Sequence, residues 1–161
     1  MKYLIIPVFL LIISCNGRLT DEQKKKIRNE MEEGQIKRIS EAEITEAAFN
    51  YGRAISNVVE SRDQNLEDKA LIDSLENVYG VQILSMQTGD SELREIERKV
   101  IEAYTSGGDV GALSDNVQKQ GRDSILYTKP LMRTLADGST EFTKALGIRM
   151  PKRQVVMSIK K

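Results

Sequence analysis

Apolar residues recur every three or four positions through much of the chain, which is the spacing of helices with one buried face. The strongest stretch follows Ser40, which stands three residues before Glu43, as in a capping box. Its apolar stripe consists of Ile44, Ala47, Ala48, Tyr51, Ile55, Val58 and Val59. The pattern therefore predicts a long amphipathic helix that begins after Ser40.

The same periodicity predicts three further helices. A charged helix begins after Thr20, and Gly34 weakens it or divides it in two. Two more helices are expected at residues 66–79, where Gly80 supplies a left-handed stop, and at residues 91–105. Most of the predicted helices thus precede the segments that have the character of strands.

Those segments are bounded by glycine-containing turns. Short strands are predicted at 81–86 and 116–118, and a longer one at 124–135, where Pro130 indicates an edge position or a bulge. Asp137-Gly138 is the strongest hairpin signal in the chain. The sequence therefore predicts an antiparallel sheet.

The strand after that turn has apolar side chains at alternate positions, Leu146, Ile148 and Met150, which predicts one buried face. Pro151 suits the first turn of a short terminal helix, and a terminal strand is the competing interpretation. Because helices come first and strands follow, we expect an α+β fold with N-terminal helices packed on a small antiparallel sheet.

Residues 1–15 have the pattern of a bacterial lipoprotein signal. Lys2 precedes an apolar stretch at 4–13, and small Ser14 precedes Cys15, the only cysteine. As a helix this stretch reaches only ~15 Å, whereas a bilayer core needs ~30 Å, so it is typical of a signal peptide and not of a span. We expect this signal helix to be removed and the Cys15 sulfur to be acylated.

Three segments follow from this interpretation. Residues 1–14 are a lipoprotein signal peptide, 15–39 a lipidated tether with a charged helix, and 40–161 a single α+β domain. Two or more acyl chains anchor a protein stably to a bilayer. We therefore expect the lipid bilayer to be a partner through acylated Cys15, in the cell envelope and at the outer membrane, with the periplasmic and surface faces both open.

The amino-acid composition excludes several kinds of catalytic site. The chain contains no histidine, and acylation of Cys15 leaves no free thiol, so zinc catalysis, Ser-His-Asp and Cys-His chemistry are excluded for it. The 24 basic and 24 acidic residues balance, which argues against nucleic acid as a partner. We predict no cofactor and no enzymatic activity.

Three stretches together resemble the c-type haem-family sensor domain, a PAS-like module of secreted and membrane-tethered bacterial proteins. They are AAFNYG at 47–52, LIDSLENVYGV at 71–81 and LYTKP at 126–130. The resemblance implies a PAS-like sheet within residues 42–161. In that family a Cys-x-x-Cys-His haem site follows the third stretch, but residues 131–138 contain neither cysteine nor histidine. The resemblance therefore implies a haem-less member that keeps the scaffold.

Two groups of side chains are candidates for a site. Tyr127, Lys129 and Arg133 lie on or beside one predicted strand and would line a pocket for a small anion, unless they are ordinary exposed residues of a strand face. Three methionines carry sulfur that can bind haem iron or copper(I), but their apolar surroundings favour core packing: Met132, Met150 and Met157.

Two functions remain open. The first is a non-enzymatic sensor or ligand-binding lipoprotein that binds a small ligand and changes conformation. The second is a structural or interaction lipoprotein that docks an envelope protein. A cavity beneath the hairpin formed by residues 124–150 would favour the first, and a filled core with an exposed apolar patch would favour the second.

Overall fold

The structure is a computed structural model, and it describes residues 20–33, 39–106 and 113–159. The chain divides into two compact units, Met1–Arg38 and Ile39–Lys161. In the first unit, helix α1 spans Asp21–Glu33, and Thr20 and Gln23 form a capping box at its start with bonds of 3.0 and 3.3 Å. The expected signal helix, Cys15 and Gly34 lie outside the described residues.

The second unit consists of helices and an antiparallel sheet. Its helices are α2 (Glu41–Arg62), α3 (Lys69–Tyr79), α4 (Glu95–Ser106) and α5 (Lys152–Ser158). Its strands are β1 (Gln82–Met86), β2 (Asn116–Gln120), β3 (Ser124–Thr134) and β4 (Thr140–Pro151). In the described part of the chain the strand order is β1-β4-β3-β2, with every neighbouring pair antiparallel. The α+β class and the antiparallel sheet are thus confirmed.

Local signals explain where the helices begin and end. Ser40 and Glu43 form both bonds of the predicted capping box at the start of α2. Helix α3 begins three residues later than expected, because the carboxylate of Asp68 accepts the N–H of Leu71 at 3.0 Å and caps the helix there. Gly80 ends α3 with φ +64°, as predicted.

The hairpin between β3 and β4 also follows its sequence signal. Gly138 has φ +83°, and the N–H of Leu135 donates to the carbonyl of Ser139 at 2.8 Å. Pro130 lies beyond the pairing of β2 with β3, which ends at Thr128, so one side of β3 is open at this position while the other side pairs with Ala145 of β4. A register shift in the pairing of β3 with β4 follows directly after Leu131. Pro130 therefore lies at an open side of β3 and close to a bulge, the two settings that the sequence predicted as alternatives.

Helices cover both faces of the sheet. One core cluster joins α2, α3 and α5 to side chains such as Leu146 and Ile148, and a second joins α4 to Met86 and Ala145. The predicted buried face of β4 is confirmed, since Leu146, Ile148 and Met150 are buried. Its second face, which was expected to be open, is buried as well, because α4 covers it and Ala145 and Gly147 are also buried. The terminal segment after Pro151 is a helix, so the competing strand interpretation is wrong.

Candidate functional site

Tyr127 lies at the contact between α2 and β3 and is fully buried. Its ring meets Phe49 edge-on, with 6.1 Å between ring centroids. It also lies against Gly52, where an added Cβ would be only 2.4 Å from Cγ of Tyr127. Helix α2 thus approaches the sheet closely, and the tyrosine ring fills the space beneath it at this point.

The hydroxyl of Tyr127 connects this buried ring to charged groups. It donates to Oδ2 of Asp115 at 2.9 Å, and Asp115 also accepts Nε and Nη2 of Arg53 at 3.0 and 3.1 Å. Burial raises the pKa of Tyr127 well above its usual value, the bond to Asp115 raises it further, and the nearby Ser56 hydroxyl opposes the rise. Tyr127 therefore acts as a neutral hydrogen-bond donor to the side chain of Asp115.

A second ion pair lies on the same helix face. Ser56 donates to Oε1 of Glu60 at 2.8 Å, and Nζ of Lys129 lies 2.7 and 2.9 Å from the two carboxylate oxygens of Glu60. We call the resulting set the α2–β3 polar chain: Arg53, Asp115, Tyr127, Ser56, Glu60 and Lys129. Its two cations and two carboxylates balance, so the α2–β3 polar chain is formally neutral.

A surface cleft of about 340 Å³ opens over Arg53 and Lys129, at the two ends of the α2–β3 polar chain. We call it the α2–β3 cleft, and its walls are Arg53, Asn57, Leu113, Ser114, Asp115, Lys129 and Pro130. The side chain of Arg53 is 50% exposed and that of Lys129 is 29% exposed, so both cations are accessible from solvent. The cleft thus combines basic groups, an amide and apolar walls in one concave surface.

The structure separates the three residues that the sequence grouped. Lys129 lines the α2–β3 cleft, and Tyr127 lies beneath it without lining it. Arg133 lies beyond the register shift after Leu131, is exposed and pairs with Glu141. Tyr127 and Lys129 are therefore linked through the polar chain, whereas Arg133 belongs to the far end of the hairpin.

Sequence reasoning missed most of the cleft. Arg53, Ser56, Asn57 and Glu60 recur at helical spacing, and this polar stripe beside the apolar one was a usable signal. Asp115 had no such signal, because it belongs to no periodic pattern and meets Arg53 across 62 positions of the chain.

The methionines have different environments. Met150 is fully buried and Met132 is half-buried, whereas Met157 is 60% exposed on α5. The expectation of core packing is confirmed for Met150 and is wrong for Met157. The helical spacing of the terminal segment was correct, but α5 is short and turns this side chain toward solvent.

A second polar cluster has a different character. Glu97 on α4 is fully buried, and it accepts Nε and Nη2 of Arg149 at 2.6 and 2.7 Å together with Gln120 and the N–H of Arg94. Burial alone would raise the pKa of Glu97, but the bonds to Arg149 and Gln120 outweigh it and hold the value at about 2. These bonds fasten α4 to the sheet and leave its carboxylate fully engaged.

Comparisons with known proteins found no relative: no protein-family model, curated protein or solved structure matches this chain.

Within residues 20–33, 39–106 and 113–159, no group of three or more histidine, cysteine or acidic side chains is arranged to hold a metal ion. In the same ranges no helix has both the length and the apolar content that a bilayer span requires.

Proposed function

We propose that this chain is a membrane-anchored bacterial lipoprotein whose domain at residues 40–161 is a non-enzymatic, haem-less PAS-like sensor for a small ligand. The observation that carries the ligand-binding part is the α2–β3 cleft, where Arg53 and Lys129 face a concave surface of about 340 Å³. Charged and polar groups in a ligand pocket fix the orientation of the ligand, and five of the seven residues that line this cleft are charged or polar.

The anchor rests on the amino-acid sequence. Cys15 follows a short apolar stretch and a small residue, and it is the only thiol in the chain. Acylation at this position would tether the domain to the cell envelope, with the outer membrane as the expected site. The domain would then sample small molecules outside the cytoplasm.

The PAS-like scaffold is supported by where the three resembling stretches lie. The first is part of α2, the second runs from α3 through Gly80, and the third is part of β3. Gly52 of the first stretch lies directly against Tyr127 of the third, so these residues meet in one interface. Residues 131–138, where the family's haem site would follow, form the end of β3 and the hairpin turn.

A sensor must transmit the occupancy of its site, and the polar chain offers a physical route. Arg53 and Glu60 lie two helical turns apart on α2, and each pairs with a group outside that helix, Asp115 or Lys129. A ligand bound to Arg53 or Lys129 would share these cations with Asp115 and Glu60, and so alter the geometry of two unbroken pairs that tie α2 to Lys129 of β3 and to Asp115, just before β2. Binding-coupled movement of α2 is the response that we propose.

The test is native mass spectrometry of the lipid-anchored protein, gently released from its own membrane in detergent. We expect a stoichiometric small-molecule adduct on the wild type, loss of that adduct from Lys129→Met, and its retention on Arg133→Met. Arg133 is a matched control because it is a basic residue of the same strand outside the cleft. An adduct that survives Lys129→Met would place the ligand elsewhere and contradict the proposal.

One observation favours a second candidate, a structural or interaction lipoprotein that docks another envelope protein. Val78 on α3 and Met157 on α5 are large apolar side chains that are 70% and 60% exposed. Site-specific photo-crosslinking at Met157 in intact cells tests it. A single protein partner captured there, together with an adduct-free mass, would favour docking over ligand binding.

A further inference from the structure

We infer that the ligand of the α2–β3 cleft is a small organic carboxylate, held at its charged end by Arg53 and Lys129 and at its apolar end by Leu113 and Pro130. The inference rests on the proposed function, because it names the chemical class that this cleft would bind. Four features of the cleft carry it: the free donors, the engaged acceptors, the apolar walls and the volume.

The donors that remain are suited to a carboxylate. Arg53 uses Nε and Nη2 for Asp115 and stacks on the Phe49 ring at 4.3 Å, and its Nη1 donates a hydrogen bond to none of the described residues. Lys129 has three N–H donors, and the two oxygens of Glu60 leave at least one available. The amide of Asn57 adds a further donor on the same wall. A planar two-oxygen anion matches the edge of a guanidinium, with the ammonium group as a second anchor.

The acceptors of the cleft are already engaged, which disfavours a cationic ligand. Asp115 accepts the Tyr127 hydroxyl and two N–H groups of Arg53, and both oxygens of Glu60 lie against Lys129. Tyr127 cannot supply an anion in place of these carboxylates, because its pKa is raised by burial. An anion can use the spare N–H groups without breaking either pair, whereas a cation would have to displace Arg53 or Lys129.

The apolar walls and the volume favour an organic anion over a bare inorganic one. Leu113 is half-buried and Pro130 is buried, and both present hydrocarbon to the cleft. At ~30 Å³ of liquid volume for each water, a cleft of about 340 Å³ has room for about ten water molecules. Inorganic phosphate would leave most of this space and both apolar walls in water. A carboxylate with a short hydrocarbon body would cover them.

The experiment is calorimetric titration of the full lipid-anchored protein in detergent with five probes: butyrate, succinate, benzoate, butyramide and inorganic phosphate. We expect one-to-one binding of at least one carboxylate and none of butyramide, which has the shape of butyrate without its charge. Lys129→Met should weaken the affinity roughly tenfold or more through loss of a charge-assisted bond. Arg133→Met should leave it unchanged.

Two further variants keep the result interpretable. Lys129→Arg retains the charge and should retain binding. The double variant Glu60→Gln/Lys129→Met removes both charges of the pair, so it avoids an unpaired carboxylate and should fold while still binding weakly. A folded double variant that binds the carboxylate as tightly as the wild type would overturn the inference.

The remaining outcomes distinguish a wrong ligand class from the absence of ligand binding. Binding of phosphate alone, or a native adduct that is neutral or cationic, would overturn the carboxylate and leave ligand binding at the cleft intact. No binding by any probe and no native adduct would overturn the ligand-binding function itself.

Discussion

Gly52 of α2 and Tyr127 of β3 are packed so closely that the helix backbone lies against the tyrosine side chain, with 2.4 Å between an ideal Cβ at position 52 and Cγ of Tyr127. Helix α2 contributes Arg53, Ser56, Asn57 and Glu60 to the cleft and its polar chain, so this contact sets the distance across the whole site. Glycine is the residue that permits such an approach.

Gly52→Ala should therefore destabilise the protein by about 1–3 kcal/mol, the usual cost of overpacking a filled core. Helix propensity acts in the opposite direction, since alanine is favoured over glycine by about 1 kcal/mol in a helix interior. Chemical denaturation monitored by circular dichroism measures the sum. Glu46→Ala, at an exposed position of the same helix, is the control and should change stability by less than about 0.5 kcal/mol. A more stable Gly52→Ala protein would show that the contact is loose.

Glu97 predicts a specific loss of stability in acid. Its pKa in the folded protein is about 2, below the usual value of 4.5 for a glutamate, so its contribution is fully present above pH 4.5 and is lost as the pH falls toward 2. The shift corresponds to about 3 kcal/mol for this buried group. Melting curves between pH 7 and 2 should show a steeper decline for the wild type than for Glu97→Gln.

At neutral pH, Glu97→Gln should itself be destabilising by about 3 kcal/mol, because Arg149 loses its charged partner in a buried setting. Glu95→Gln is the matched control on the same helix. The Glu95 side chain is 74% exposed and its pair with Lys99 lies at the surface, so little effect is expected. Equal pH profiles for the wild type and Glu97→Gln would contradict the assigned role of Glu97.

Lipidation is tested in living bacteria with a clickable palmitate analogue. The wild type should incorporate the label and sediment with membranes, whereas Cys15→Ser should remain unlabelled and keep its apolar stretch, because processing depends on the cysteine. Label on the Cys15→Ser protein would refute the acylation site.

Haemin provides a test of the haem-less interpretation. The protein has no histidine and no Cys-x-x-Cys pair, so it lacks the groups that attach and ligate haem in the resembling family. Titration with haemin should give the spectrum of free haemin. A sharp Soret band with one-to-one stoichiometry would require another iron ligand and would reject this interpretation.

The parts of the fold that the sequence predicted depend on neighbouring residues. Ser40 and Glu43 are three positions apart, and Gly80 directly follows the helix that it ends. Asp137-Gly138 forms a turn within a few neighbouring residues. Each of these signals acts over a few positions, so its meaning does not depend on the rest of the chain. All three were found in the structure.

The parts that were missed depend on distant residues. The second buried face of β4 exists because α4 packs on it, and alternation within residues 145–150 carries no information about that helix. The cleft arises because Asp115 and Lys129 meet a polar stripe of α2 across 62 and 69 positions of the chain. Periodicity within one segment predicts which residues share a face, but not which other element faces them.

The most direct test of the account is the position of the ligand, measured by chemical-shift perturbation of the isotope-labelled protein. The probe is the small-molecule fraction released from the native protein by heat, followed by benzoate. We expect shifts centred on Arg53, Asp115 and Lys129, extending through Tyr127 into α2, and reduced by Lys129→Met but not by Arg133→Met. Shifts confined to other surfaces, or none with either probe, would contradict the proposal that the α2–β3 cleft is a ligand site.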